Sequence, residues 1–350
     1  METIMVKTST AYPVHIGGGL LDRSGELIAA ATAARRCAVI TDDTVCPLYA
    51  PRVCRSLASA GLDHALYAFP AGERHKTLAT YGEIVNFLAE SRLTRGDCVI
   101  ALGGGVAGDM AGFAAATYQR GVDFVQVPTT FLAASDASVG GKTAVDLPAG
   151  KNLVGAFWQP KAVLCDTDTF STLPEDAFRD GAAETLKHGL IADEDFFRFL
   201  MEADMRENID KVVRRNVEIK AAVVAEDERE RGRRKLLNFG HTLGHAIEKC
   251  SGYRVSHGHA VATGMVLAAR AAEALGYGGK GTLAAVLAAC ARYGLPTACP
   301  YSAGELCAAA AGDKKRAGDR IDVVVLREVG RAETVRLDME GLRAFTEAAL

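Results

Sequence analysis

Cys98-Val-Ile-Ala-Leu-Gly103-Gly104-Gly105-Val106-Ala107-Gly108-Asp109 is the stretch from which the fold can be read. An apolar run of five residues ends in three glycines and continues into residues that suit a helix. That is the pattern of a buried strand feeding a helix in a sheet covered on its faces. The Gly-x-Gly-x-x-Gly spacing lets backbone approach a pyrophosphate, while the helix N-terminus supplies N–H donors and the positive end of a dipole. The loop follows the third parallel strand, whereas the usual dinucleotide fingerprint follows the first, so alone it does not assign a nucleotide.

Outward from this loop, apolar, β-rich runs at 37–41, 64–69, 124–127 and 162–165 alternate with helical stretches. The alternation predicts an α/β domain with a Rossmann-like parallel sheet. Residues 3–8 and 12–16 predict an added hairpin. Asp42 and Thr44 end the first parallel strand, where a carboxylate can accept from ribose hydroxyls. Glu73 and Lys76 end the second and reach toward the same crevice. From about residue 173 the pattern changes to long alanine- and leucine-rich helices at 212–225, 241–249, 260–275 and 281–293, with a late hairpin at 320–328 and 333–338. We therefore expect two domains: 1–172, an α/β nucleotide-binding domain, and 173–350, a mainly helical metal- and substrate-binding domain.

The chain has 350 residues, 49% hydrophobic and 24% charged, with a net charge of -3. No long basic run is present, so neither nucleic acid nor an anionic membrane is expected as a partner. Nine cysteines without a Cys-x-x-Cys pair predict reduced thiols in a cytoplasmic protein. No apolar run predicts a signal peptide or a membrane span.

The helical half carries the chemistry. His241 and His245 stand four residues apart on a predicted helix, so both rings face one side. His257-Gly258-His259 follows, and Ala183-Glu184-Thr185-Leu186-Lys187-His188 lies upstream. One carboxylate with two of these histidines makes a sufficient shell for a catalytic divalent metal, with a position left open. Spacing does not fix which two. Four of the eight histidines fall between 241 and 259, which favours ligation over packing.

Taken together, Gly103-Gly-Gly-Val-Ala-Gly-Asp109, Tyr118-Gln-Arg120-Gly, Pro128-Thr-Thr130, Asp136-Ala-Ser-Val-Gly-Gly-Lys142-Thr-Ala-Val-Asp, Gly150-Lys-Asn152, Glu184-x-x-Lys187 and Asn238-Phe-Gly-His241-x-x-x-His245 closely resemble the 3-dehydroquinate synthase family over nearly the whole chain. The resemblance implies a dehydroquinate synthase-like fold, NAD, and Zn2+ or Co2+. It implies conversion of 3-deoxy-D-arabino-heptulosonate 7-phosphate to 3-dehydroquinate and phosphate in the shikimate pathway. The steps are transient oxidation, phosphate elimination, re-reduction and ring closure.

Carried over residue by residue, the resemblance makes Glu184, His241 and His257 the metal ligands. It assigns the cofactor to Asp42, Thr44, Glu73, Lys76, Gly104, Gly105, Val106, Gly108, Asp109, Thr129, Thr130, Lys142, Lys151, Thr169 and Thr172. Substrate and catalytic positions are Asp136, Lys142, Lys187, Lys220, Arg234, Lys314 and Lys315, with Asn152, Asn238 and His245. Arg120 matches a residue that reaches the phosphate from a neighbouring subunit, which implies a homodimer. Charge counting agrees, because a substrate with a carboxylate and a phosphate needs several cations, of which Arg234 suits bidentate capture.

Three positions depart from the family pattern: His259 replaces a commoner glutamate, Thr44 an asparagine, and Ala182 a larger residue. His259 leaves the third ligand open between His257 and His259. Rival readings are a related sugar-phosphate cyclase such as an aminodehydroquinate, deoxyinosose or valiolone synthase, an NAD- and metal-dependent polyol dehydrogenase, and a non-catalytic nucleotide-binding module. Converging cations argue against the dehydrogenase. The full set of acid, base and metal candidates argues against the module.

Overall fold

The structure, a computed structural model, describes residues 1–310, 316–317 and 320–350. It comprises two compact units, Met1–Leu173 with Lys220–Glu228, and Pro174–Ile219 with Arg229–Leu350. Lys314 and Lys315 lie outside the described residues.

The first unit is built on seven strands: β1 (Glu2–Val6), β2 (Tyr12–Gly17), β3 (Arg36–Asp42), β4 (Asp63–Phe69), β5 (Cys98–Gly103), β6 (Asp123–Pro128) and, after a separate hairpin of β7 (Lys142–Leu147) and β8 (Gly150–Phe157), β9 (Ala162–Asp166). They hydrogen-bond in the order β1-β2-β9-β6-β5-β3-β4. All pairings in this sheet are parallel except β1 with β2, the expected N-terminal hairpin. Four helices complete the unit's main layers: α1 (Ser24–Ala31), α2 (Val45–Ser59), α3 (Leu78–Glu90) and α4 (Gly105–Thr117).

Strand alternation divides the interior in two. Cys37 and Val39, with Cys98, Ile100 and Leu102, pack against Tyr49, Val53 and Leu57 of α2 on one face. Ala38 and Ile40, with Val99 and Ala101, pack against Ile84 and Leu88 of α3 and Met110 and Phe113 of α4 on the other. A strand buried on both sides has no polar phase, which is why these segments read as continuous apolar runs. The order also explains the position of the glycine loop. After β3 the chain steps outward to β4, then returns across β3 to β5, so β3 and β5 flank the point where strand order reverses. Ligands bind open α/β sheets at such a point, outside the C-terminal strand ends.

The second unit is mainly helical: α5 (Glu175–Ala192), α6 (Glu194–Glu202), α7 (Ile209–Glu226), which passes at Lys220 into the segment grouped with the first unit, α8 (His241–Cys250), α9 (His257–Ala274), α10 (Thr282–Arg292), α11 (Ala303–Ala310) and α12 (Met339–Ala349). A three-stranded antiparallel sheet of β10 (Arg316–Ala317), β11 (Arg320–Glu328) and β12 (Arg331–Asp338) accompanies them. α8 and α9 approach to backbone contact. A Cβ on Gly264 would lie 2.1 Å from the Gly240 carbonyl oxygen and 2.8 Å from the Gly244 nitrogen. Among the described residues no helix is long and apolar enough to cross a membrane, and all nine cysteines are free.

Candidate active site

In the first unit the turn after β5 holds Gly103 at φ 151°, a conformation open to glycine, before α4 begins. Among the described residues a Cβ on Gly105 would meet only Ala137, at 3.6 Å, so there is room beside that position at the start of α4. Asp42 Oδ1 accepts from the backbone N–H groups of Thr44 and Val45 at 3.0 and 2.9 Å, fixing the carboxylate at the end of β3. Burial raises its pKa despite those hydrogen bonds. Among the described residues the buried hydroxyls of Thr41 and Thr129, at the C-terminal ends of β3 and β6, have no hydrogen-bond partner. Orphaned donors beside a glycine turn suit a ligand rich in acceptors.

Lys76, expected at the nucleotide crevice, is 4% exposed. Its Nζ donates to Asp109 Oδ2 at 2.6 Å and to Asn152 Oδ1 at 2.5 Å. Burial opposes the lysine's charge, but Asp109 and Glu73 outweigh it and hold its pKa above the ordinary value. Asp146 Oδ1, which closes the Lys142 motif but is assigned no role from sequence, accepts from the Asn152 backbone N–H at 2.7 Å and steadies that residue at φ 53°. Lys151 pairs with Glu73 at 3.0 Å. Lys220 reaches both the carboxylate and the backbone carbonyl of Asp136 at 2.5 Å, on a single π-helical turn, Ala133–Ala137. Thr169 and Thr172 are tied to α2 through the Tyr49 hydroxyl. Thr130 Oγ1 accepts from the Ala133 N–H at 3.1 Å. Lys142 on β7 and Arg120, itself at φ 66°, are exposed.

In the second unit Glu184, Lys187 and His188 are all buried on α5. Lys187 pairs with Glu184 one turn away. His188 Nδ1 bonds Asn216 of α7 at 2.8 Å, and Asn216 donates to Thr185 at 2.9 Å, so the turn bearing Glu184 is pinned from outside. Nε2 of His241 and Nε2 of His257 each lie 3.3 Å from Glu184 Oε1. Ligand atoms at zinc-like bond lengths in a tetrahedral shell stand about 3.3 Å apart, so the three residues fit such an ion. The His241 Nδ1 faces the Phe239 carbonyl at 3.2 Å, leaving Nε2 for the cluster. His245 stands beside them, its ring centroid 5.4 Å from that of His241 and 5.9 Å from that of His257.

His257 and His259 separate. They lie two residues apart at the start of α9, so they leave the helix in nearly opposite directions. His259 Nδ1 is 2.9 Å from Asp180 Oδ1, which also accepts from Ser256 Oγ and the His259 N–H. Hydrogen bonding to Asp180 raises the pKa of His259. For His257, burial opposes the charge, but hydrogen bonds to Glu184 and Glu248 prevail and raise its pKa to about 10.

The sequence reading missed Glu248, 2% exposed, with Oε2 3.5 Å from His257 Nδ1 and 4.0 Å from His245 Nε2. Its signal was there: seven residues after His241 and three after His245 is the same helix face. Arg234 is 1% exposed on the 3-10 segment Arg233–Asn238, and Asn238 donates to Glu230 at 2.5 Å.

The family described as 3-dehydroquinate synthase N-terminal matches residues 66–180, and that described as 3-dehydroquinate synthase C-terminal matches residues 181–316. Curated 3-dehydroquinate synthases similar to the chain include that of Pelobacter propionicus, 45% identical with 95% of each chain covered. That of Streptococcus suis is 42% identical, covering 97% of this chain and 98% of its own. Among solved structures, a 2-deoxy-scyllo-inosose synthase complexed with carbaglucose-6-phosphate, NAD+ and Co2+ matches all of both chains with a TM-score of 0.90 and 25% identity. A 2-epi-5-epi-valiolone synthase from Streptomyces hygroscopicus subsp. jinggangensis with NAD+ and Zn2+ bound matches with a TM-score of 0.87 and 27% identity, covering 99% of this chain and 98% of its own. With both halves matched and full-length relatives at such identity, the chain belongs to the 3-dehydroquinate synthase family.

Proposed function

We propose that the protein is an NAD- and metal-dependent carbon–oxygen lyase that converts 3-deoxy-D-arabino-heptulosonate 7-phosphate to 3-dehydroquinate and phosphate. The observation that carries this is identity of 45% over 95% of the chain to a 3-dehydroquinate synthase, joined to an intact Glu184–His241–His257 cluster. The NAD+ with Co2+ or Zn2+ in the related synthase structures supports the same two cofactors here.

When bound, NAD supplies a transient hydride acceptor, and the divalent metal supplies a Lewis acid for the hydroxyl that is oxidised. Asp42, the turn at 103–109, Thr129 and Thr130 hold the dinucleotide, with Glu73, Lys76 and Lys151 beside them. Glu184, His241 and His257 hold the metal. Lys142, Lys187, Lys220 and Arg234 receive the substrate's carboxylate and phosphate, with Asn152 and Asn238 as neutral partners. Arg234 and Lys187 are buried, where a charge attracts an anion more strongly than at the surface. His245, partly exposed beside the cluster, is placed to exchange a proton through its ring. Arg120, exposed at its loop, serves the phosphate of a neighbouring subunit in a homodimer. Nine free cysteines suit a reducing cytoplasm.

Phosphate release from the heptulosonate phosphate with substoichiometric NAD and no net NADH tests the reading. Net NADH from a simple polyol, without phosphate release, would select a dehydrogenase.

A further inference from the structure

The two ring nitrogens of His257 face two different buried carboxylates. Nε2 lies 3.3 Å from Glu184 Oε1, and Nδ1 lies 3.5 Å from Glu248 Oε2. A neutral imidazole has one N–H and one lone pair, and a metal can take only the lone pair. The nitrogen turned away from the metal therefore needs an acceptor. His241 meets this requirement through the backbone, with Nδ1 against the Phe239 carbonyl. His257 sits at the first position of α9, and the acceptor facing its Nδ1 comes from a different helix, α8.

Burying a carboxylate is unfavourable unless a donor or a charge compensates it, and Glu248 is 2% exposed. Both imidazoles nearest its Oε2, His257 and His245, belong to the candidate site. We propose that Glu248 is a positioning residue: it accepts Nδ1–H from His257, fixes that tautomer, and so presents the Nε2 lone pair to the cation held by Glu184 and His241. This rests on reading Glu184, His241 and His257 as the metal ligands. Outer carboxylates of this kind orient a ligating histidine and raise its basicity.

The test measures zinc affinity of the full-length protein by competition with a chromophoric chelator, together with zinc stoichiometry and the nitrogen-15 shifts of His257. Wild type, Glu248→Gln, Glu248→Ala and Glu184→Ala are compared. Glutamine keeps an acceptor oxygen, so Glu248→Gln should bind zinc within a few-fold of wild type. Glu248→Ala should bind roughly 10–100-fold more weakly. His257 should be the Nδ1–H tautomer in the zinc-loaded protein.

Wild-type affinity in Glu248→Ala, with Glu184→Ala impaired, would overturn the proposal and leave the ligand reading standing. Full zinc binding by Glu184→Ala would overturn the ligand reading and the proposal with it. Two zinc ions per chain, falling to one in Glu248→Ala, would make Glu248 a ligand instead. If Glu248→Ala fails to fold, an Nε2–H tautomer in zinc-loaded wild type still refutes the proposal.

Discussion

Gly264 lies against the carbonyl oxygen of Gly240, the residue that precedes His241, so closely that a Cβ on Gly264 would sit 2.1 Å from that oxygen. Contact of this kind leaves α8 and α9 no room to slide, and it sets the separation of His241 from His257. Gly264→Ala should therefore force the helices apart, lowering the melting temperature by roughly 5–10 °C and weakening zinc binding as well. Gly304→Ala is the control. Among the described residues a Cβ there meets nothing within 4 Å, and alanine favours the helix, so stability should hold or rise slightly. Equal melting curves for Gly264→Ala and wild type would contradict the packing argument.

Metal content separates the two neighbouring histidines of α9. Glu184→Ala, His241→Ala and His257→Ala should each lose bound zinc and activity while retaining the far-ultraviolet spectrum of the fold. His259→Ala should keep a full equivalent, because its ring bonds Asp180 rather than Glu184. Elemental analysis after dialysis reads all four. Zinc lost from His259→Ala but kept in His257→Ala would exchange the assignment.

Gly105→Ala isolates the cofactor cradle from the protein's own packing. The added Cβ meets only Ala137, at an ordinary 3.6 Å, so the fold should tolerate it. A dinucleotide phosphate approaching the start of α4 would not, and NAD affinity by calorimetry should fall at least about tenfold with metal content unchanged. Unaltered affinity would move the pyrophosphate away from this turn.

Asp322 predicts a pH dependence of a different origin. Its carboxylate accepts from Arg336 Nε at 2.8 Å and Lys235 Nζ at 2.7 Å. Its pKa is lowered, by the Arg336 hydrogen bond first, with burial opposing and Lys235 assisting. A carboxyl depressed in the folded state contributes stability above its unfolded value, near 3.8, and loses it as pH falls through the folded value. Asp322→Asn should therefore melt roughly 1–4 °C lower than wild type at pH 7, and the gap should close as pH falls below 3.8 and through the folded value. A gap that is constant with pH would mean that packing, not charge, is responsible.

The parallel sheet was legible because strands buried on both faces leave unbroken apolar runs, and the glycine turn after β5 marked where one of them ended. The β7–β8 hairpin was not. Lys142–Leu147 is buried only at Thr143–Val145 and Gly150–Phe157 has no buried residue, and their lysines, asparagine and glycines hide the strand period. Glu184 and the four histidines between 241 and 259 stand out by type and spacing as metal-ligand candidates, whereas the particular set of Glu184, His241 and His257 comes from the family resemblance. The choice of His257 over His259 depended on which way each leaves α9, which one glycine between them does not reveal. Lys76 could be placed at the crevice, but its burial could not be read, because its partners Asp109 and Asn152 are 33 and 76 residues away. Glu248 does not stand out in the sequence, because an acid in a helix is usually solvated.

The path of the chain also constrains how such a protein can be taken apart. α7 starts among residues of the second unit, and from Lys220 to Glu228 the chain belongs with the first. Neither unit is a contiguous stretch of sequence, so no single cut yields an intact module. A fragment ending at Leu173 lacks Lys220, and its complement carries a stranded helix end. Gene fission or domain transplantation would need three junctions, near 173, 219 and 228, placed together.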